Sequence, residues 1–283
     1  MKHYYLHYAF LFLLFTNFAF AQEQKQIQFK EQYTKHNKGK FFISWGGNRE
    51  VYSKSDVTFT GKDYNFTLDN LKAHDKPKGW NIDYINPSRM TIPQTNFRLG
   101  YFLNDHYSIA IGLDHMKYVM TQNQTVNITG TIDANTPFDN VYNNTPIVTT
   151  EDFLKYEHTD GLNYIHLEVS RNDDISSLFG INNTDKVQIN LTGGAGAGVL
   201  YPKTNTTLLG KLRHDDFHVS GYGVSLKQGL NITFFKHFYI QGELKEGYIN
   251  MQDIRTTESP DDKASQSFFF LERLINFGVI FKV

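Results

Sequence analysis

The chain has 283 residues, no cysteine, and 28 Lys and Arg against 29 Asp and Glu. Without cysteine there is no disulfide framework, zinc-thiolate site or thiol nucleophile, and a net charge of −1 offers no electrostatic footing for nucleic acid. Aromatic residues make up 15%, with 24 Phe and 17 Tyr, an excess that suits sheets and the aromatic girdles of a membrane interface.

In chain order, MKHYYLHYAFLFLLFTNFAFAQEQ begins with Lys2 as its only full positive charge and runs apolar from Ala9 to Phe20. It reaches the small–x–small triplet Ala19-Phe20-Ala21 just before Gln22. Residues 1–21 therefore read as a secretory signal peptide, the apolar run being too short for a transmembrane helix. A buried N-terminal helix is the competing reading. Residues 22–39 are polar and read as a periplasmic lead-in, transiently helical at most. No later stretch is apolar enough to cross a bilayer as a helix.

From residue 40 the pattern has period two. Phe41, Ile43 and Trp45 alternate with Phe42, Ser44 and Gly46, and Phe97, Leu99 and Tyr101 with Asn96, Arg98 and Gly100. Ile109, Ile111 and Leu113 alternate with Ala110, Gly112 and Asp114, and Ile165, Leu167 and Val169 with Tyr164, His166 and Glu168. The same split continues to Phe277, Val279 and Phe281 near the C-terminus. Eight strands are predicted, at about 41–52, 94–103, 107–120, 161–171, 186–200, 217–234, 238–251 and 268–283. Most meet the roughly 9–11 residues that a tilted transmembrane strand needs.

Short connections fall at 104–106 and 236–237, long ones at 53–93, 121–160, 201–216 and 252–267. The turn at 172–185 is longer than this alternation calls for. A soluble sandwich or lipocalin-like barrel also alternates, but the small and charged residues crowding one face suit a narrow lumen. The expected fold is an all-β, antiparallel up-and-down transmembrane β-barrel of eight strands with long extracellular loops, residues 40–283 forming one domain.

The signal peptide, eight alternating strands and aromatic-rich last strand resemble small Gram-negative outer-membrane β-barrel proteins. The alternation of Phe277, Val279 and Phe281 is similar to the segment that barrel-assembly machinery reads in that class, although Lys282 and Val283 follow where the class ends on the aromatic. The resemblance implies an outer-membrane location with both termini periplasmic. It also implies outer-membrane lipid and lipopolysaccharide as surroundings, and a monomer. It names no activity.

An eight-stranded barrel has room inside only for its own side chains. The predicted interior network holds the cations Arg98, Lys227 and Lys245 and the anions Asp114, Glu168, Glu243 and Glu272, near balance in sign and therefore a plug. At the outer rim, RHDDFH supplies His214, Asp215 and His218, with Ser220 beside them. These are the candidates for a rim enzyme modifying envelope lipid, an acyl hydrolase or transferase. His158 and Asp160 are the candidates for a bound divalent cation, and parity places both inward. A solvated rim of structural meaning only competes with both readings. No cofactor is implied. The leading function is structural or surface-binding, through loops 53–93 and 121–160, whose aromatic, Asn and Thr residues suit a glycan or protein ligand.

Overall fold

The structure, a computed structural model, describes residues 31–79, 82–84, 93–211, 213 and 216–283. The signal-peptide reading of 1–21 and the first half of the lead-in lie outside the described residues, as do His214 and Asp215. Among the described residues fourteen strands run in chain order: β1 (Lys40–Tyr52), β2 (Ser55–Gly61), β3 (Tyr64–Leu71), β4 (Ala73–His74), β5 (Thr95–Phe102), β6 (Tyr107–Met120) and β7 (Thr125–Ile132), then β8 (Asn140–Val148), β9 (Leu154–Asp174), β10 (Val187–Pro202), β11 (Asn205–Leu208), β12 (Gly221–Phe234), β13 (Phe238–Arg255) and β14 (Lys263–Lys282).

Eight of them form a ring. The order β1-β5-β6-β9-β10-β12-β13-β14 is antiparallel throughout, and β1 pairs with β14 from Lys40↔Lys282 to Tyr52↔Phe270, closing the sheet on itself. A path across directly paired residues leaves Phe42 and passes Gly100, Ala110, Glu168, Gly196, Ser225, Gly247 and Phe270. It returns to β1 at Tyr52, ten residues further along, from 42 to 52. Eight strands with that stagger tilt by roughly 40°, within the usual range for closed barrels.

Both ends of the ring's chain, Lys40 and Lys282, meet at one rim. There the links are tight. Phe235 and Lys236 both have positive φ (51° and 74°), which gives the β12–β13 turn the twist of a type I′ hairpin. The longer link between β9 and β10 carries a 3-10 turn, Ser176–Phe179, ended by Gly180 at φ 68°. The segment before β1 docks on this link: Thr34 Oγ1 bonds Thr184 Oγ1 at 2.7 Å, and Gln188 Nε2 donates to the Thr34 carbonyl at 3.2 Å. So the last residues of the predicted lead-in are ordered and Thr34 is buried, because the long link gives them polar partners. Asp105, in the β5–β6 turn, accepts the backbone N–H groups of Lys38 and Asn37, which holds its carboxyl below the usual range.

At the opposite rim the strands outrun the ring. β14 leaves β1 and pairs Lys263–Gln266 with Thr60–Val57 of β2, and the sheet continues β2-β3-β7-β8. Within the predicted loop 53–93, VTFTGKDYNFTL forms the β2–β3 hairpin with Gly61 opposite Tyr64. On the other side β11 adds to the upper part of β9. These strands enclose one apolar core, including Phe59, Phe66, Leu68, Ile128, Phe153 and Tyr156, and it reaches down to Tyr164, Leu200, Ile249, Phe268 and Phe270 inside the ring. The predicted strand at 217–234 starts only at Gly221, and residues 217–220 run as non-strand backbone.

Candidate functional site

The alternation read in the sequence gives the ring two chemically distinct faces. Outside, Ile111 is 57% and Leu167 59% exposed, with Leu99, Val224, Ile240 and Ile275 exposed around the circumference. Below this belt stand Phe41, Tyr101 and Phe281, with ring centroids 4.9 and 6.2 Å from Phe41. Above it stand Tyr201 stacked on Phe217 at 5.2 Å and Tyr248 against Phe269 at 5.1 Å. From Tyr222 down to Ile232 a tilted strand climbs about 25 Å, the height of a membrane barrel's apolar band. A water-soluble barrel would leave that surface unfavourably wet.

The chain is an eight-stranded transmembrane β-barrel.

Its lipid-facing surface is interrupted by Gln228, Glu246 and Arg273, the last directly opposite Arg49. A long charged stem such as that of Arg273 reaches toward the headgroup level.

Inside the barrel, six of the seven predicted interior residues join one ion-paired network, with Glu272 hydrogen-bonded separately to Asn48. Asp114 receives Arg98 Nη1 and Lys245 Nζ at 2.7 Å each and His166 Nε2 at 3.0 Å. Glu168 lies 3.5 Å from Arg98 and 3.7 Å from Lys245, and it also pairs with Lys227, which reaches Glu243 at 3.1 Å. Glu272 accepts Asn48 Nδ2 at 2.7 Å. His166 joins this network although it was read only as part of an alternating strand. Gly112 makes room for it, since a Cβ there would lie 2.1 Å from the imidazole Cε1. Below the network a polar recess of about 640 Å³, counting the space at its open mouth, is lined by Ser44, Asn190, Asn231, Gln241 and Glu243 among others.

The expected balance of charge needs correction. Glu50 is also inward and buried, directly opposite Glu272, so Arg98, Lys227 and Lys245 face five enclosed carboxylates: Glu50, Asp114, Glu168, Glu243 and Glu272. Asp75, from the β4 loop, adds a sixth at the wall, where its carboxylate accepts the Glu50 N–H at 3.1 Å. Continuing the Phe42-Ser44-Gly46 alternation to Asn48 and Glu50 finds the fifth. Asp75 comes from a loop, and no periodicity announces it.

The rim candidates separate. His158 is fully buried, its Nδ1 2.9 Å from Thr204 Oγ1, between the rings of Tyr118 and Tyr156. Asp160 is exposed and pairs with Arg213 at 2.9 Å. The predicted inward orientation of Asp160 is wrong. Between Met116↔Leu162 and Tyr118↔His158 one residue of β6 faces three of β9, and this bulge breaks the parity. His115 is also buried, with Nδ1 2.8 Å from Asn163 Oδ1.

His218 Nε2 pairs with Asp253 Oδ2 at 2.7 Å, and Asp253 also meets Lys263 at 3.0 Å. Ser220 Oγ has the His218 carbonyl, not its imidazole, as partner at 3.5 Å. The Ser220 carbonyl accepts the Gln252 and Asp253 N–H groups at 2.9 and 3.1 Å. Ser220 is thus fixed as a strand-entry residue and not as a hydroxyl activated by His218. Among the described residues no three His, Asp or Glu side chains stand at metal-ligand geometry.

The burial of His158, in the part of β9 above the belt, has a thermodynamic consequence. Loss of hydration pushes its pKa down to about 3, against about 6.5 when unfolded. The unfolded chain therefore binds the extra proton first as the pH falls. Stability is expected to be whole above about pH 6.5 and to drop by several kcal/mol toward pH 3. Urea midpoints measured from pH 7 to 4 check this. His158→Gln should flatten the slope relative to the parent, and an unchanged slope would contradict it.

No family model matches the chain, and no curated protein matches it. Among solved structures, the outer membrane protein OprG of Pseudomonas aeruginosa aligns over 88% of this chain and 99% of its own, at 11% identity and a TM-score of 0.38. Ail, the attachment invasion locus protein of Yersinia pestis, aligns over 84% and 99% at 10% identity and a TM-score of 0.29. Neisserial surface protein A aligns over 83% and 96% at 8% identity and a TM-score of 0.28.

Proposed function

We propose that this barrel is an outer-membrane surface protein of a Gram-negative bacterium, monomeric, with both termini in the periplasm, and that its work is binding through the projecting sheet. The observation that carries this reading is the continuation of β14 into β2-β3-β7-β8, a sheet with its own buried core and, among the described residues, no further strand beyond β8. β8 is exposed along both faces, with Val141 and Val148 open to solvent. A surface this large and this well supported exceeds what is needed to cap a narrow bore. Its Asn, Thr and aromatic residues offer adaptable hydrogen bonds and stacking faces to a glycan or protein. Tight turns at the rim of the termini and long excursions opposite support the orientation. The ion-paired interior and the apolar core above it support a plugged bore, since eight strands leave no solute path once filled. Barrel-assembly machinery would insert the chain, and lipopolysaccharide would surround it.

The test is a deletion. Replacing 125–148 by a short Gly-Ser turn removes β7 and β8 and leaves the ring strands intact. The shortened protein should keep a heat-modifiable band on gels. Screened on a glycan array and a panel of immobilised soluble proteins, the parent should show a ligand that the deletion binds at least tenfold more weakly. Equal binding by both chains, or no ligand for the parent, would overturn the proposal.

A further inference from the structure

At the top of the bore the amides of Gln94 and Asn48 fill the cluster of Glu50, Asp75 and Glu272 with their N–H groups. The polar recess lower down is built differently. Its mouth, between Phe42, Phe102, Asn172 and Ile280, lies at the rim where Lys40 and Lys282 meet. Its floor is Arg98 and Lys227 against Glu168 and Glu243, two charges of each sign.

One wall of the recess is satisfied by its own amides. Asn190 Nδ2 donates to Gln188 Oε1 at 3.3 Å, Asn231 Nδ2 to Gln241 Oε1 at 3.1 Å, and Gln241 Nε2 to Glu243 Oε2 at 2.8 Å. The next row up is not satisfied. Thr192, Gly229 and Glu243 are successive cross-strand partners on β10, β12 and β13. Gly229 leaves a gap in that row, where a Cβ would lie 3.2 Å from Thr192 Oγ1. On either side of the gap, Thr192 Oγ1 and Glu243 Oε1 are buried without a hydrogen-bond partner. Arg98 comes from β5, directly across the ring from β12. Its Nη1 and Nε face Asp114 and Glu168, and its Nη2 is likewise buried without a partner. Arg98, Thr192 and Glu243 are only 3–5% exposed, and unpaired polar groups at that depth are costly. They are also of opposite kinds: a guanidinium N–H on one wall, a carboxylate oxygen and a hydroxyl on the other.

We propose that this recess binds one small zwitterion, a free α-amino acid with a short side chain. Its carboxylate accepts from Arg98 Nη2, and its ammonium donates to Glu243 Oε1 and Thr192 Oγ1. The balanced floor selects this class. A simple anion or cation would enclose one excess charge, whereas a zwitterion adds none and pairs both of its ends. The narrow bore of eight strands excludes a bulky side chain. The ion-paired layer and the apolar core above it close the far end, so the recess holds a ligand and passes none through. Entry from the periplasm rests on the orientation proposed above; binding itself does not.

The test uses the full mature chain refolded in a non-ionic detergent, in a buffer without amines or carboxylates. Calorimetric titration with L-alanine should give one saturable site per chain, with a midpoint at or below about 1 mM. Acetate and methylamine, each carrying one of the two charges, should bind at least tenfold more weakly. Glu243→Gln should weaken alanine binding at least tenfold. Thr192→Val, which alters no ion pair, should weaken it about fivefold and keep the heat-modifiable band of the parent. No saturable heat with the parent chain up to roughly 20 mM L-alanine would overturn the proposal. So would acetate or methylamine binding as tightly as alanine, or alanine binding that neither substitution weakens.

Discussion

Asp114→Ala is expected to destabilise the barrel by about 3–5 kcal/mol, because it strands two buried cations at once. Asp114 is fully enclosed, and it takes Arg98 and Lys245 at 2.7 Å and His166 at 3.0 Å. Removing it leaves Lys245 with Glu168 at 3.7 Å as its nearest carboxylate and the His166 ring at 3.3 Å. The measurement is the urea midpoint of the refolded protein, followed by loss of heat-modifiable migration. A comparator separates burial from pairing. Asp114→Leu combined with Arg98→Leu and Lys245→Met replaces the ions by apolar groups and should recover most of the loss, as buried ionic groups often allow. A loss under about 1 kcal/mol for Asp114→Ala would mean that water reaches this layer and screens it.

Tyr118→Ala is expected to cost about 3–5 kcal/mol, concentrated above the membrane belt. Its ring lies 5.0 Å from Phe268, 5.1 Å from Tyr52, 5.6 Å from His158 and 6.3 Å from Tyr156. Its hydroxyl meets Gln266 Nε2 at 2.6 Å, which ties β6 to β14 where β14 passes from ring to extension. Hydrogen exchange should show β2, β3 and β7 amides losing protection while amides of the ring strands keep theirs. Tyr118→Phe removes only the hydroxyl and should cost about 1 kcal/mol. Uniform loss of protection across ring and extension would show instead that the two unfold as one unit.

The ring was legible because membrane and lumen impose opposite chemistry on alternate residues. Arg98 beside Leu99 and Glu168 beside Leu167 each state a face in two letters, and the eight strands follow. Above the belt the same alternation changes meaning. Phe268, Phe269 and Phe270 are all aromatic, yet the first and third fill the core and the second faces out. Periodicity of hydrophobicity is also silent where neither face is apolar, which is why the predicted start of β14 at 268 missed the polar run Lys263–Ser267. β11 was hidden for the same reason: Asn205-Thr206-Thr207-Leu208 has no apolar face until β9 supplies a partner. Asp160 failed because a bulge is a property of pairing, not of one strand. Glu50 was readable by continuing its strand, whereas Asp75 and Gln94 reach the same cluster from a loop and a strand entry, long-range placements that local pattern does not encode.

The central claim, that lipid surrounds the ring and the sheet β2-β3-β7-β8 stands outside the cell, is tested most directly by cysteine labelling. The parent chain has no cysteine, so each variant carries one. Asn143→Cys on β8, Leu167→Cys on the belt and Asp105→Cys in the turn at the rim of the termini would be treated with a membrane-impermeant maleimide on intact cells. The account predicts labelling of Asn143→Cys in intact cells, of Asp105→Cys only after the outer membrane is opened, and of Leu167→Cys in neither state until the protein is denatured. Rapid labelling of Leu167→Cys in native membranes, or equal labelling of Asn143→Cys and Asp105→Cys in intact cells, would contradict it.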